Sequence, residues 1–316
     1  MRVLITGVSG FIGSATAELL VNSNVEVVGI DNLSTSDISN VPKGIEFIKS
    51  DISDGSFLQK IGKLDACIHF AGLIESGQSM KDPRLYFKNN VAKTLIFLEN
   101  IKHHGIEKLV FSSSAAVYGD SKGAHITEET VTDPSSVYGE TKLMIDRTLD
   151  WISKLELMKS VSLRFFNAAG SFNGNPENHQ NETHLIPLAI DAVLGRNESF
   201  TIFGNDYPTP DGTCIRDYVH VEDLARAHIL ALQHLETNSR LVANIGTGKG
   251  FSNLEVIHAI EKCAQRELPI CFAPRREGDP PILVADNTVA REQLGWLPNK
   301  TVLECINDAL NSRIEM

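Results

Sequence analysis

Met1-Arg2-Val3-Leu4-Ile5-Thr6-Gly7-Val8-Ser9-Gly10-Phe11-Ile12-Gly13 reads as a buried strand that passes through a glycine turn into a helix starting near Ile12. A short apolar run, glycines and then an apolar-periodic segment open a β-α-β unit. Gly7 permits the tight turn, Gly10 lets the backbone approach a pyrophosphate, and Gly13 lets the helix pack close to the sheet. The helix start then offers unpaired N–H groups to phosphate oxygens. The glycines sit between strand and helix, the context such a pattern needs in order to mean dinucleotide binding.

Working outward, Val25-Glu26-Val27-Val28-Gly29-Ile30 reads as a second strand with Asp31 at its carboxyl end. Asp31 lies about 18 residues beyond Gly13, the distance expected of the acid that binds a ribose 2′-hydroxyl. A carboxylate there repels a 2′-phosphate, so NAD is expected rather than NADP. The polar stretch 32–40 reads as a loop near the adenosine end. Residues 45–48 read as a third strand, followed by Asp51-Ile52. That pair either reaches an adenine or caps a helix over 54–61. Ala66-Cys67-Ile68-His69-Phe70-Ala71-Gly72 reads as the fourth strand and its exit, where small residues let the backbone pass close to a cofactor.

Asp82-Pro83 opens a long helix predicted over 82–104, with proline suited to the first turn. Lys108-Leu109-Val110-Phe111 is a fifth strand ending in Ser112-Ser113-Ser114. A second long helix is predicted over 138–159, and residues 160–165 form a sixth strand. Strands alternating with helices predict an α/β fold, a Rossmann-type, doubly wound parallel sheet. From Asn167 the texture changes. A Gly/Asn/Pro-rich loop over 168–182, a helix over 183–194, a short strand over 200–203 and a further strand over 241–245 follow. The predicted organisation is an NAD-binding domain over 1–166, to which 216–245 returns. A smaller C-terminal α/β substrate domain takes 167–215 and 246–316, and the two share a cleft.

The formal net charge of -11 argues against nucleic-acid binding. No apolar run approaches the roughly 20 residues of a membrane span. The first strand begins too early to leave room for a signal peptide. The five cysteines are scattered and never form Cys-x-x-Cys, as expected of reduced thiols in the cytoplasm. The triplets at Asn32, Asn181 and Asn197 match the glycosylation pattern, and in this context are read as chance. No His/Cys spacing suits a metal, so none is expected.

Tyr138 and Lys142 form Tyr-x-x-x-Lys and share one helix face. A neighbouring ammonium favours the phenolate and is expected to lower the tyrosine pKa from about 10, which suits a general base. Ser114 ends a strand, where α/β sheets place ligands, and its hydroxyl can bond a substrate oxygen and assist proton transfer. Each element alone is common, and their order behind a dinucleotide fingerprint gives them weight.

On these residues the chain resembles the extended short-chain dehydrogenase/reductase family over essentially its whole length. The resemblance rests on Thr6-Gly7-x-x-Gly10-Phe11-Ile12-Gly13, Asp31-Asn32-Leu33-Ser34, His69-Phe70-Ala71-Gly72-Leu73, Ser112 to Gly119, and Tyr138-x-x-x-Lys142. It extends to Arg164-Phe165-Phe166-Asn167, Phe203 to Thr209, Asp211 to Tyr218 and Arg275 to Asp279. It implies an NAD-dependent 4-epimerisation of a UDP-hexose, UDP-glucose with UDP-galactose, through a 4-keto sugar. Tyr138 is implied as the base, Ser114 as the bridge, and Lys142 as holder of the phenolate and the nicotinamide ribose. Implied NAD contacts are Gly7, Gly10, Phe11, Ile12, Gly13, Asp31, Asn32, Asp51, Ile52, Phe70, Ala71, Gly72, Asn89, Tyr138, Lys142 and Phe166. Implied substrate contacts are Ser114, Tyr138, Asn167, Arg216, Arg276 and Asp279. The arginine forks suit a diphosphate, although Arg276 beside Arg275 and Glu277 also reads as a surface ion pair. Asp279 is implied to hold a ribose hydroxyl. A homodimer through the two long helices is implied as well.

The chain departs from the family at Ile74, where relatives carry lysine, at Val137, which replaces a helix proline, and at Leu283, the position implied to gate N-acetylated sugars. UDP-N-acetylhexosamine or UDP-glucuronate therefore stand as alternative substrates. A dehydratase needs further acid/base groups beside the serine, and Ala115 and Ala116 supply none. A non-catalytic NAD-sensing protein is the reading from another class, against which the intact Ser114, Tyr138 and Lys142 argue.

Overall fold

The computed structural model describes residues 1–120, 125–177, 182–276 and 278–314. Asn181 of the second glycosylation triplet, Glu277 of the Arg275–Asp279 stretch and residues 178–181 of the long loop lie outside them.

Among the described residues, seven parallel strands form the central sheet. They are β1 (Arg2–Thr6), β2 (Glu26–Asp31), β3 (Glu46–Lys49), β4 (Ala66–His69), β5 (Lys108–Ser114), β6 (Lys159–Phe165) and the strand Arg240–Ile245. From one edge the order is Arg240–Ile245, β6, β5, β4, β1, β2, β3. Val3 faces both Val27 of β2 and Ala66 of β4 in register, so the chain winds outward in both directions from β1. The crevice at that reversal is where such sheets bind ligands.

Side chains alternate across a strand, and β1 shows the consequence. Val3 and Ile5 enter one core with Leu20, Leu224, Ala231 and Trp296, beneath the helices Phe11–Asn22 and Val221–His234. Leu4 enters the opposite core with Val28, Phe97, Ile101, Ile145 and Leu149. The sheet is therefore covered on both faces, which explains strands that read as nearly continuous apolar runs.

Three predicted helices differ in detail. The run over 82–104 starts as expected, with Pro83 in the first turn and the Asp82 carboxylate accepting the Leu85 N–H at 3.2 Å. Phe87–Ala92 then widens into a π-helix before α geometry resumes over Lys93–His103. π-turns concentrate at functional sites. Here the wider turn carries Asn90, whose amide donates to the Leu73 carbonyl at 2.9 Å and accepts the Leu73 N–H at 2.8 Å. The helix predicted over 138–159 is Val137–Lys154. It ends where Glu156 adopts a left-handed φ of 56°, and Lys159 already belongs to β6. The segment predicted over 54–61 is a short 3-10 helix, Gly55–Lys60, capped by Asp54, which accepts the Ser56 N–H at 3.0 Å. Asp51 is not that cap.

Beyond β6, Ile215–His220 pairs with Asn167–Ala169, Gly250–Ser252 and Ile282–Leu283 in a small separate sheet. Phe200–Phe203 pairs with Ile270–Ala273. The helices Leu185–Val193, Asn253–Ala264 and Val302–Ile314 enclose a third core around Ile186, Ile190, Ile257, Ile306 and Leu310.

Candidate active site

A cavity of about 560 Å³ follows the carboxyl ends of the central strands and reaches the C-terminal region at Arg216 and Asp279. Every cofactor and substrate residue expected from the sequence lines it except Arg276.

At one end, Gly7 has a φ of 70°, and a Cβ on it would lie 2.7 Å from the Ala71 nitrogen. A Cβ on Gly13 would lie 2.2 Å from the Gly7 carbonyl oxygen. No other residue fits either position, because both clashes are with backbone. No side chain caps the helix that begins at Phe11, so its first N–H groups remain for an anion. The Asp31 carboxylate is fixed at the end of β2. One oxygen accepts the Leu33 N–H at 2.9 Å and the other the Ser9 N–H at 3.1 Å. Asp51 bonds Lys93 at 2.5 Å and the Ser53 N–H at 3.0 Å. Burial opposes its ionisation, but Lys93 and Ser53 hold its carboxyl down at about 2. A cradle too tight for a Cβ, an uncapped helix start and a carboxylate on β2 are the donor and acceptor set that a dinucleotide requires.

Midway, the Val137–Lys154 helix lies against the end of β5. Ser136 caps it, accepting the Gly139 N–H at 3.1 Å. The Tyr138 N–H donates to the buried Ser79 hydroxyl at 3.0 Å, and the Thr141 hydroxyl to the Tyr138 carbonyl at 2.7 Å. Tyr138 is therefore held through its backbone. Its phenol and the Ser114 hydroxyl line the same part of the cavity. Burial raises the phenol pKa above its ordinary value and the neighbouring Ser114 hydroxyl only partly offsets it. The sequence-based expectation of a lowered value is thus reversed in the protein alone, because burial dominates. Lys142 is buried beside it, with Nζ donating to the Ser112 carbonyl at 2.7 Å and lying 5.9 Å from the Tyr138 ring centre. Burial pulls the Lys142 pKa down to about 8, while the Asp146 carboxylate works against that fall.

At the far end, Arg216 is nearly buried and its Nη2 lies 3.5 Å from an Asp279 carboxylate oxygen. Asn167, Leu283 and Ile74 line the same space. Arg276 stands apart: its guanidinium stacks on the Phe203 ring at 4.1 Å.

Lys93, Gln78, Glu177 and His184 are among the lining residues that sequence reasoning missed. Lys93 stands one helical turn beyond Asn89, so its spacing could have revealed it. Gln78 follows the Ile74 departure with no motif of its own. Glu177 and His184 flank an aperiodic loop that gives no signal. Burial alone would lower the His184 pKa, but Glu177 and Glu182 reverse this and raise it to about 9. Among the described residues no His/Cys/Asp/Glu group is arranged to hold a metal.

A family profile described as "NAD dependent epimerase/dehydratase family" matches residues 3–246. The UDP-glucose 4-epimerase of Streptomyces lividans is 41% identical over 312 residues, covering 98% of this chain and 94% of its own. The crystal structure of UDP-glucose 4-epimerase from Bifidobacterium longum in complex with NAD+ and UDP is 35% identical. It superposes with a TM-score of 0.95, covering 100% of this chain and 98% of that one. The Brucella ovis UDP-glucose 4-epimerase, in complex with NAD, is 41% identical with a TM-score of 0.93, covering 98% and 97%.

Proposed function

The chain belongs to the NAD dependent epimerase/dehydratase family, and we propose that its cleft interconverts UDP-glucose and UDP-galactose through a 4-keto sugar. The observation that carries this reading is the convergence of Ser114, Tyr138 and Lys142 in the cavity that also contains the glycine turn and Asp31. NAD would be held by the turn of Gly7, Gly10 and Gly13 at its pyrophosphate and by Asp31 at its adenosine ribose. When bound, it supplies a hydride acceptor at C4 of the sugar and a positive charge beside Tyr138.

The residues then have the following roles. Tyr138 takes the proton from the sugar 4-hydroxyl as phenolate and returns it when the other face of the ketone is reduced. Ser114 bonds the same oxygen and keeps it within reach of Tyr138. Lys142 provides the charge that offsets the burial of the phenolate. Arg216 opens its fork to the diphosphate, and Asp279, now its partner, accepts a ribose hydroxyl. Arg276 reaches the diphosphate only by leaving the Phe203 ring, so its contribution is smaller. Ala115 and Ala116 follow Ser114 directly, and neither can act as the second acid that loss of water needs. The 4-keto sugar is therefore reduced rather than dehydrated.

The reading extends to a homodimer. The Pro83–His103 run and the Val137–Lys154 helix lie side by side. The first exposes Leu85, Leu95 and Ile96, and the second exposes Met144 and Trp151, with Leu155 just past its end. Apolar surface of this kind on adjacent helices suits pairing with the same surface of a second copy. We also assign the protein to the cytoplasm, where its five unpaired cysteines stay reduced.

Purified protein incubated with UDP-galactose and followed by proton NMR tests the activity. UDP-glucose appearing without added NAD supports both epimerisation and a retained cofactor. No product with or without added NAD refutes the reading.

A further inference from the structure

We propose that Asp146 is a positioning residue for this reaction, which keeps Lys142 charged and fixes the depth of the Val137–Lys154 helix against β5. The inference rests on the roles given above to Tyr138 and Lys142.

Tyr138, Lys142 and Asp146 stand at successive turns of one helix face. Opposite them run Ser112, Ser113 and Ser114 at the end of β5, and each of the three meets one. Ser114 stands by the Tyr138 phenol in the cavity. The Ser112 carbonyl accepts Lys142 Nζ at 2.7 Å. The Ser113 hydroxyl donates to Asp146 Oδ2 at 3.1 Å. A shift of the helix along the strand breaks both hydrogen bonds and moves Tyr138 away from Ser114.

Asp146 is also the anchored member of the three. The same Oδ2 accepts Arg164 Nε at 2.9 Å, and Arg164 Nη1 donates to the Tyr118 hydroxyl at 3.0 Å. Tyr118 in turn donates to Asn244 at 2.7 Å. The carboxylate is thereby tied to β6 and to the strand Arg240–Ile245. Its other oxygen, Oδ1, is buried and has no hydrogen-bond partner among the described residues. An ionised oxygen left so costs free energy unless nearby cations repay it; Arg164 does so through Oδ2, and Lys142, one helix turn away, is a second cation on the same helix face.

The groups that face Lys142 leave this role to Asp146. From β4 comes His69 and from the Val221–His234 helix comes His228, both buried and kept neutral at neutral pH. From β5 come the Phe111 ring and the Ser112 carbonyl. Tyr138 faces it from its own helix. Around Asp146 itself stand Arg164, Arg240 and, one turn on, Asp150. Asp146 is the carboxylate that acts on the ammonium.

The test measures kcat against pH for the NAD-loaded protein with UDP-galactose, together with the phenolate absorbance of Tyr138 as the difference from Tyr138→Phe. Asp146→Asn keeps an oxygen for Ser113 and Arg164 but removes the charge. The alkaline limb of kcat is expected to move down by about one pH unit or more, with KM within about twofold. The phenolate band at mildly alkaline pH is expected to shrink. Ser113→Ala removes one hydrogen bond but no charge, and should leave the limb in place. If Asp146→Asn does not fold with Arg164 unpaired, Asp146→Asn/Arg164→Gln removes both charges and should move the limb the same way. A limb that stays in place in the Asp146 variants, or moves equally in Ser113→Ala, overturns the role of Asp146 alone. A limb that persists unchanged in Lys142→Met overturns the roles of Lys142 and Asp146 together.

Discussion

Lys142 Nζ donates to the Ser112 carbonyl at 2.7 Å, at the end of β5 where Ser114 and Tyr138 line the same cavity. The same strand end thus orients the cation and lies beside the phenol. Burial brings the Lys142 pKa to about 8, so the ammonium is present below that pH and is lost above it. Activity is expected to fall as pH rises through about 8 in the protein before cofactor and substrate add their own charges. A pH profile of kcat checks this, and an alkaline limb near the ordinary lysine value would contradict it.

Tyr138→Phe removes the hydroxyl without changing the backbone ties of residue 138 to Ser79 and Thr141. The helix should stay in place and NAD should stay bound. Turnover should fall by about 10²–10⁴-fold, the range of general acid–base catalysis. NAD released on denaturing the purified variant separates a lost base from a lost cofactor.

Gly13→Ala tests the cradle. Its Cβ would need to lie 2.2 Å from the Gly7 carbonyl oxygen, so the turn or the helix must move. The expected cost is about 1–3 kcal/mol of stability, as for other overpacked sites, together with loss of retained NAD. Thermal unfolding and the NAD content of the purified variant measure the two effects. A variant that melts normally with its full NAD content would mean that the turn is softer than this geometry implies.

How much of this was legible beforehand differs along the chain. The glycine turn, Asp31 and the Tyr138/Lys142 pair are local patterns, and the structure brings them to one cavity because parallel strands align their carboxyl ends. The π-turn at Phe87–Ala92 was not legible, because one extra residue in a turn leaves an apolar period almost unchanged. Glu177 and His184 reach the cavity through an aperiodic loop, which has no repeat to read. Arg276 shows the converse. It belongs to a motif, yet it stacks on Phe203, a partner 73 positions away that no spacing rule connects to it. The phenol pKa was misjudged because sequence displays the neighbouring charge but not the burial.

The two substrate arginines should separate in kinetics. Arg216 already lines the cavity beside Asp279, whereas Arg276 is held on a ring outside it. Arg216→Ala should raise KM for the UDP-sugar by about 10–100-fold, since hydrogen bonds to charged groups are worth about 1.5–3 kcal/mol. Arg276→Ala should raise it less. Equal effects in steady-state kinetics would mean that Arg276 leaves Phe203 at no net cost when substrate binds.

The last prediction concerns stability in acid. His69 is fully buried, bonded through Nδ1 to the Thr6 hydroxyl at 2.7 Å and stacked against Phe97. His228 is fully buried too, bonded to the Leu224 carbonyl at 2.8 Å and packed on Phe70. Burial and the Lys142 charge depress their pKa values to about 3 and about 4. The unfolded chain takes up these two protons near pH 6.5, and the folded chain does not. Stability therefore stays complete above about 6.5 and is lost as pH falls below it, by about 2 kcal/mol for each histidine at pH 5. The Asp51 carboxyl, held at about 2, stabilises the fold fully above the ordinary carboxylate range and loses that contribution only as pH falls below it, so it does not enter the comparison between pH 7 and pH 5. Urea unfolding at pH 7 and pH 5 should show the drop, and His228→Gln should lose about half of it. A midpoint independent of pH between 7 and 5 would require that these histidines gain protons without unfolding, against their packing under Phe70 and Phe97.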